Sequence, residues 1–441
     1  MRDRPTKVAI GIVAGCLLTG LLRAENWPNW RGTGYNGSSK ETGLPIQFSK
    51  TENVKWSVEM PGVGASTPVI WGDSVFLTAG QTPGGSLALA YDRRTGKELW
   101  RREFTGYGQD DRSNFSAPSA VTDGERVYFF FGSGRLACFD FAGKEIWKRD
   151  ICADYGDFAF QWTFSSSPAL GNGRLFLQVL QRDVPVRDRG RDKAESFLLA
   201  MDSATGKELY RHVRPSDALM ESRESFATPI PHAIGGRWEL LVAGGDCLTG
   251  HDPATGIELW RWGTWNPTKV QSWRLVPSPV SGGGVILACA PKGDPIYAVE
   301  EGLQGAHEGT SGLKWKSAPT KESPVTSDVA TPLFYQGRFY VVDHLRTRAL
   351  SCLEPSTGRV IYTQPLESRE KFEASPTGAD GKIYLINHLG DVFVVQAGDR
   401  FKLLHKAEMG TSMKNITRSS IAVSQGNLFI RTDTHLYCVG R

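Results

Sequence analysis

Ala90-Tyr91-Asp92-Arg93-Arg94-Thr95-Gly96-Lys97-Glu98-Leu99-Trp100 is the stretch that decides the fold. A short apolar run ends in an acid, a Thr-Gly turn follows, and a second strand begins that carries an indole. Glycine supplies the positive φ of a tight turn without steric cost, and the preceding aspartate accepts the turn N–H groups through its side chain. The phrase returns along the chain. It reads Cys138-Phe139-Asp140 with Gly143-Lys144 and Trp147, Ala200-Met201-Asp202 with Thr205-Gly206-Lys207 and Tyr210, and Gly250-His251-Asp252 with Thr255-Gly256 and Trp260. Weaker copies follow at Ala298-Val299-Glu300 with Trp315 and at Cys352-Leu353-Glu354 with Thr357-Gly358 and Tyr362.

Each copy is led by a small residue and a proline, at Pro68, Pro118, Pro168, Pro229, Pro279, Pro332 and Pro376, and by Ser420-Ile421 in the last. The prolines lie 44 to 61 residues apart, room for four short strands per unit. A repeat of that period with four strands is a propeller blade, and a ring covers the faces and edges that a lone sheet exposes. The eighth copy ends after its third strand at Tyr437-Cys438-Val439, so its fourth strand is expected from Asn53-Val54-Lys55-Trp56. The expected fold is therefore all-β: an eight-bladed β-propeller of four-stranded antiparallel blades, closed by an N-terminal strand near Trp56. Trp56, Trp100, Trp147, Trp260 and Trp315 are the expected docking residues between blades. The slot two before the acid is small, and Cys138, Cys352 and Cys438 fall in it as buried apolar residues.

The chain has 441 residues and a net charge of +4, with hydrophobic residues at 40% and charged residues at 22%. That is ordinary globular usage. Arg2, Arg4, Lys7 and Arg23 carry most of the excess charge and the remainder is near neutral, which gives no electrostatic case for nucleic acid as a partner. Arg2, Arg4 and Lys7 precede an apolar run over Val8–Leu22, and Ala24 offers a cleavage site. Residues 1–24 read as an export signal, residues 25–52 as an N-terminal extension and residues 53–441 as the propeller. The expected location is periplasmic or secreted, with no membrane span after cleavage. Val13-Ala14-Gly15-Cys16 is a second reading, a lipobox that would leave a lipidated Cys16.

The repeated Asp-x-x-Thr-Gly-Lys-x-x-Trp phrase resembles the tryptophan-docking motif of the pyrroloquinoline-quinone (PQQ) repeat family, from about residue 53 to the C-terminus. The resemblance implies an eight-bladed propeller and one of two functional classes: periplasmic quinoprotein dehydrogenases, or non-enzymatic propellers such as the scaffold lipoprotein of the outer-membrane barrel assembly machinery. Asn26-Trp27-Pro28-Asn29-Trp30-Arg31-Gly32 also resembles secreted propellers of planctomycete-type bacteria. The dehydrogenases carry a disulfide between adjacent cysteines, a calcium site and a catalytic aspartate; the chain has no Cys-Cys dipeptide and no segment matching the others. A docking motif packs blades and does not bind quinone. The expectation is a non-catalytic propeller binding an envelope or extracellular protein or glycan. The alternative is a PQQ- or calcium-dependent oxidoreductase.

Function on a propeller lives on loops over the central channel. The loops leading into the proline strands supply Arg112, Asp154, Trp162, Arg223, Trp273, Arg274 and Arg418, and those between the middle strands supply His344 and His388. Aromatics with arginine suit sugar or peptide ligands, through ring faces and guanidinium forks. Asp154, Asp157 and Asp328 are oxygen donors of the kind a calcium ion takes. The charged insert from Arg182 to Glu195 reads as a solvated extension. No catalytic residue and no metal ligand set is predicted.

Overall fold

The computed structural model describes residues 25–81, 84–106, 108–263, 265–318, 325–343, 347–410, 412 and 415–441. The expected export signal, Cys16 and His344 lie outside them.

Eight sheets form the ring, seven of them four-stranded. Blade 1 comprises Val69–Trp71, Ser74–Gly80, Ser86–Asp92 and Glu98–Phe104, counted from the channel outward. The sequence pattern follows from this placement. The two middle strands touch a neighbouring blade on both faces, so Ser74–Gly80 is buried throughout. The outermost strand is half solvated, and in Glu98–Phe104 only Trp100 is fully buried. Blade 8 closes as expected: Val54–Glu59 pairs antiparallel with His435–Val439, setting Trp56 opposite Cys438.

Docking follows one rule at four junctions. The indole Nε1 donates to the carbonyl that follows the turn acid of the next blade: Trp56 to Arg93 at 2.8 Å, Trp100 to Phe141 at 2.9 Å, Trp147 to Ser203 at 3.0 Å and Trp315 to Pro355 at 2.7 Å. Tyr210 makes the same bond through its hydroxyl to Pro253 at 3.3 Å. Within seven of the blades a β-bulge brings the small slot opposite the aromatic, as in Ala90 against Trp100 and Cys138 against Trp147. Cys352 and Cys438 fill that slot too, and all six described cysteines are free thiols.

Trp260 departs from its expected role. Its Nε1 donates to Glu239 of its own blade at 2.8 Å. The insert of the fifth repeat explains the change: Gly305–His307 adds a parallel fifth strand outside Glu258–Gly263 and covers this edge of blade 4. In blade 7 the docking position is His405, opposite Val394, and its ring meets Phe48 of the N-terminal extension.

The extension crosses the end of the channel remote from the leading loops. Trp27 exchanges backbone bonds with Ile70 in blade 1, Pro28 accepts from Thr122 in blade 2, and Gly37 and Ser39 bond Gly378 in blade 7. The Tyr35 hydroxyl accepts from the Leu170 N–H of blade 3 at 2.9 Å. At its centre Arg31, 1% exposed, donates to the carbonyls of Asn36, Pro332 and Pro376 at 3.0, 2.7 and 2.8 Å. Burial pushes its guanidinium down to about 9. Gly37 sits at φ +84°, and a Cβ there would lie 2.2 Å from Arg31. The extension is thus a strap that joins blades far apart around the ring.

His251 makes the ring pH-sensitive. It is fully buried, with Nδ1 3.0 Å from the Gly256 carbonyl and Nε2 2.9 Å from the Thr249 hydroxyl. Burial, then the charges of Arg214, His212 and Arg261, push it down to about 3, against a smaller upward pull from the Gly256 carbonyl. The fold holds the neutral ring while the unfolded chain protonates near 6.5. Stability present above that pH is therefore lost as pH falls, levelling near the folded value. Denaturant melts are expected to lose roughly 2–3 kcal/mol between pH 6.5 and pH 4, and His251→Gln flattens that slope.

Candidate functional site

The inner end of each blade contributes one hydroxyl residue, and these residues bond to one another around the channel. The N–H of Thr67 donates to the Ser119 Oγ at 2.9 Å, Ser119 to Ser167 at 3.0 Å, Thr228 to Ser278 at 2.9 Å and Ser278 to Thr331 at 3.0 Å. Thr331 donates to Ser375 and Ser375 to Ser420, both at 3.0 Å. Ser420 completes the circle to Thr67 at 3.2 Å. Between blades 3 and 4 the link is instead from the Ser166 hydroxyl to the Ala227 carbonyl. The ring sets the register of blade 2, where Ser119 and not the residue before Pro118 stands at the shared position.

All eight of these residues line a cavity of about 640 Å³ at the loop end of the channel, a size typical of ligand sites. Trp30 of the strap lines the same cavity and forms its floor, with the Arg31 guanidinium carbon 5.4 Å from its ring centroid. The channel is therefore a blind cup. Its walls carry five cations, Arg112, Arg274, Lys292, Lys371 and Arg418, against three acids, Glu221, Asp328 and Glu373.

The acids are engaged. Arg274 grips Asp328 with two bonds of 2.7 and 2.8 Å, and the backbone N–H of Lys292 adds a third at 2.7 Å. Arg418 Nε donates to Glu373 at 2.7 Å, and His388 Nε2 lies 3.1 Å from the same oxygen. Burial by itself would raise the Glu373 carboxyl, but His388 and Arg418 hold it far below the usual carboxylate range. Glu221 accepts from the Trp162 indole at 3.2 Å, and the Arg112 guanidinium lies 5.5 Å over the Trp162 ring. Lys292 and Lys371 form no side-chain ion pair among the described residues.

Of the residues singled out in the sequence, Arg112, Trp162, Arg274 and Arg418 therefore meet in one cup, with His388 directly behind its wall. The others lie elsewhere. Asp154 pairs with Arg149 at 2.7 Å on a short helix, Ile151–Tyr155. Arg223 faces the Ser216 and Ala218 carbonyls and Asp183, not Glu224. Trp273 is half-buried against the core of blades 4 and 5. Glu224 is fully buried on Arg182, and burial pushes its carboxyl up to about 7 against that charge. The same contact pins the start of the insert, whose Val186 and Ala194 are buried with Ala159, while Arg187, Asp188, Arg191, Asp192, Lys193 and Glu195 are exposed, so the segment is anchored at these points and its charges are solvated as expected. Asp154, Asp157 and Asp328 do not converge: no group of three or more His, Cys, Asp or Glu is placed to hold a metal among the described residues.

The fold and its docking rule define a repeat propeller of the PQQ-like class. The sequence profile of the family described as outer membrane protein assembly factor BamB matches residues 40–177, 84–304 and 296–439. The chain belongs to this family. Among solved structures, BamB from Moraxella catarrhalis is similar at a TM-score of 0.57 and 12% identity, over 88% of this chain and 99% of that one. The quinohemoprotein alcohol dehydrogenase from Comamonas testosteroni is similar at 0.65 and 13%, over 94% and 81%. A computationally designed protein, Ika8, reaches 0.58 and 12%, over 88% and 99%. These identities carry the fold alone. No curated protein sequence matches the chain significantly.

Proposed function

We propose that this chain is an exported, non-catalytic propeller that binds a protein or glycan partner on its loop face, with the blind cup as the centre of that face. Residues 1–24 then serve as the export signal, 25–52 as the strap and 53–441 as the ring, in the periplasm or outside the cell. No helix among the described residues is long and apolar enough to cross a membrane. The observation that carries the reading is the state of the cup's acids. A general acid or base needs a carboxyl free to exchange its proton near working pH, and Asp328 and Glu373 are instead locked to Arg274 and Arg418. The exposed Arg112 and the half-buried Trp162 are the surface a partner meets first.

The alternative, a calcium- and PQQ-dependent oxidoreductase, fits the residues poorly. Calcium takes six to eight oxygen ligands, and the cup's acidic oxygens face guanidinium and indole donors. The experiment pairs two measurements on the purified protein. Arg112→Ala with Trp162→Ala is expected to weaken capture of an envelope partner by about tenfold, as loss of an aromatic and arginine anchor does, and Arg112→Ala alone to weaken it with an unchanged melting temperature. Incubation with PQQ and Ca²⁺ is expected to give no dye-linked alcohol or sugar oxidation; saturable cofactor binding with turnover would overturn the non-catalytic reading.

A further inference from the structure

The cup's hydrogen-bonding capacity leans toward donation. Seven of the ring hydroxyls already accept an N–H from the preceding blade. None of the seven donates its own proton to another group among the described residues, and all are buried. The buried indole N–H of Trp30 likewise has no acceptor. A buried donor without a partner costs free energy, so the cup favours an occupant rich in acceptors. Lys292 and Lys371 add two ammonium groups with no carboxylate partner. An ionised oxyanion is such an occupant, since it accepts only and carries the complementary charge.

We propose that the cup binds the end of an acidic saccharide, with its carboxylate or sulfate held between Lys292, Lys371 and the hydroxyl ring, and a sugar face on Trp30. The proposal deepens the loop-face binding reading and rests on it. A saccharide suits the cup better than an acidic peptide. Peptide N–H groups demand strong acceptors; each ring hydroxyl has already given one lone pair to a neighbouring blade, and Asp328 and Glu373 are held by arginines. A sugar hydroxyl turns its proton away and accepts. The flat indole at the floor offers the stacking surface a pyranose uses. The blind end admits a chain terminus and blocks a threaded strand.

Calorimetric titration of the full chain tests this with four probes: a short oligogalacturonate, its methyl ester, a sulfated disaccharide and a polyglutamate peptide. The oligogalacturonate or the sulfated disaccharide is expected to bind, more weakly as salt rises; which of the two binds identifies the anion. The methyl ester, which keeps the sugar and removes the charge, is expected not to bind. Lys371→Met and Lys292→Met are each expected to weaken binding about tenfold, the scale of a charge-assisted hydrogen bond, with an unchanged thermal melt. Equal binding of the ester, tighter binding of polyglutamate, or binding that survives both lysine changes would overturn the acidic-saccharide assignment. So would silence from all four probes. Partner capture that depends on Arg112 and Trp162 is measured separately, so the loop-face reading stands or falls by its own result.

Discussion

Deleting residues 53–59 is expected to abolish cooperative folding, although the segment lies outside every complete repeat. Val54–Glu59 is the outermost strand of blade 8, paired along His435–Val439 and fixed at its ends by Gly440 N–H to Asn53 and Met60 N–H to Thr434. The segment also delivers Trp56, 8% exposed, onto the turn of blade 1. Its removal therefore strips one blade of an edge and the next of its docking indole. Loss of a buried tryptophan alone costs about 3–5 kcal/mol, and each lost strand hydrogen bond adds about 1 kcal/mol. Together these reach the whole stability of a typical domain, roughly 5–15 kcal/mol. The exposed edge of His435–Val439 then invites pairing between molecules. Circular dichroism is expected to show a broad, non-cooperative melt and size-exclusion chromatography a shift to aggregates. A peptide of residues 53–60 added in trans is expected to restore the sharp transition. A truncated chain that melts like the full one would show that closure does not hold the ring together.

That closure was legible in the sequence because the repeat has an internal clock. An eighth copy that stops one strand short demands a donor, and Asn53-Val54-Lys55-Trp56 lies just before the first copy with an indole to fill the docking place. The docking rule was legible for the same reason, since the acid, the turn glycine and the indole recur at fixed offsets. What the offsets hid were contacts between distant stretches. The role of Trp260 changed because an insert some forty residues later folds back as Gly305–His307, and nothing in the blade 4 repeat announces this. The strap was invisible because it is no repeat: Arg31 reads as an ordinary cation until Pro332 and Pro376 are brought to it.

The cup was half legible. Arg112, Trp162, Arg274 and Arg418 stand in leading loops, which a propeller gathers at one end. Lys292 lies in a loop between middle strands, and Lys371 in a leading loop whose one aromatic, Phe372, turns into the core, so neither drew attention. The hydroxyl ring had a visible signal, a serine or threonine beside nearly every strand-leading proline. The signal looked like ordinary turn composition until the backbone N–H of each neighbouring blade supplied its reason. Trp273 and Arg274 are adjacent in sequence and divergent in place: one lies against the core, the other in the cup wall locked to Asp328. For that reason Arg274→Ala is a poor probe of binding, because it leaves a buried carboxylate without its cation.

Trp100→Ala is expected to be among the most damaging single substitutions in the ring, at about 3–5 kcal/mol. The side chain is 7% exposed and meets Phe76 of its own blade at 6.2 Å and Phe129 and Phe139 of blade 2 at 6.0 and 5.6 Å, centroid to centroid. Its indole lies on Gly143, where a Cβ would stand 2.7 Å from the ring. Truncation thus opens a cavity between two blades and also leaves the Phe141 carbonyl without its donor. The two losses are separable. Trp100→Phe keeps most of the aromatic surface and removes the N–H, so it is expected to cost less than Trp100→Ala by the packing contribution. Gly143→Ala tests the other side of the contact. It adds a methyl group at φ +81°, a backbone conformation that disfavours any side chain, and drives it into the indole. It is expected to destabilise by about 1–3 kcal/mol, the range for overpacking. In the double variant Trp100→Ala with Gly143→Ala the methyl group meets the space the indole left, so the combined loss is expected to fall short of the sum. Additive losses in chemical denaturation would mean that the ring and the turn do not press on one another, and that the shared Thr-Gly and Trp of the repeat serve each blade separately.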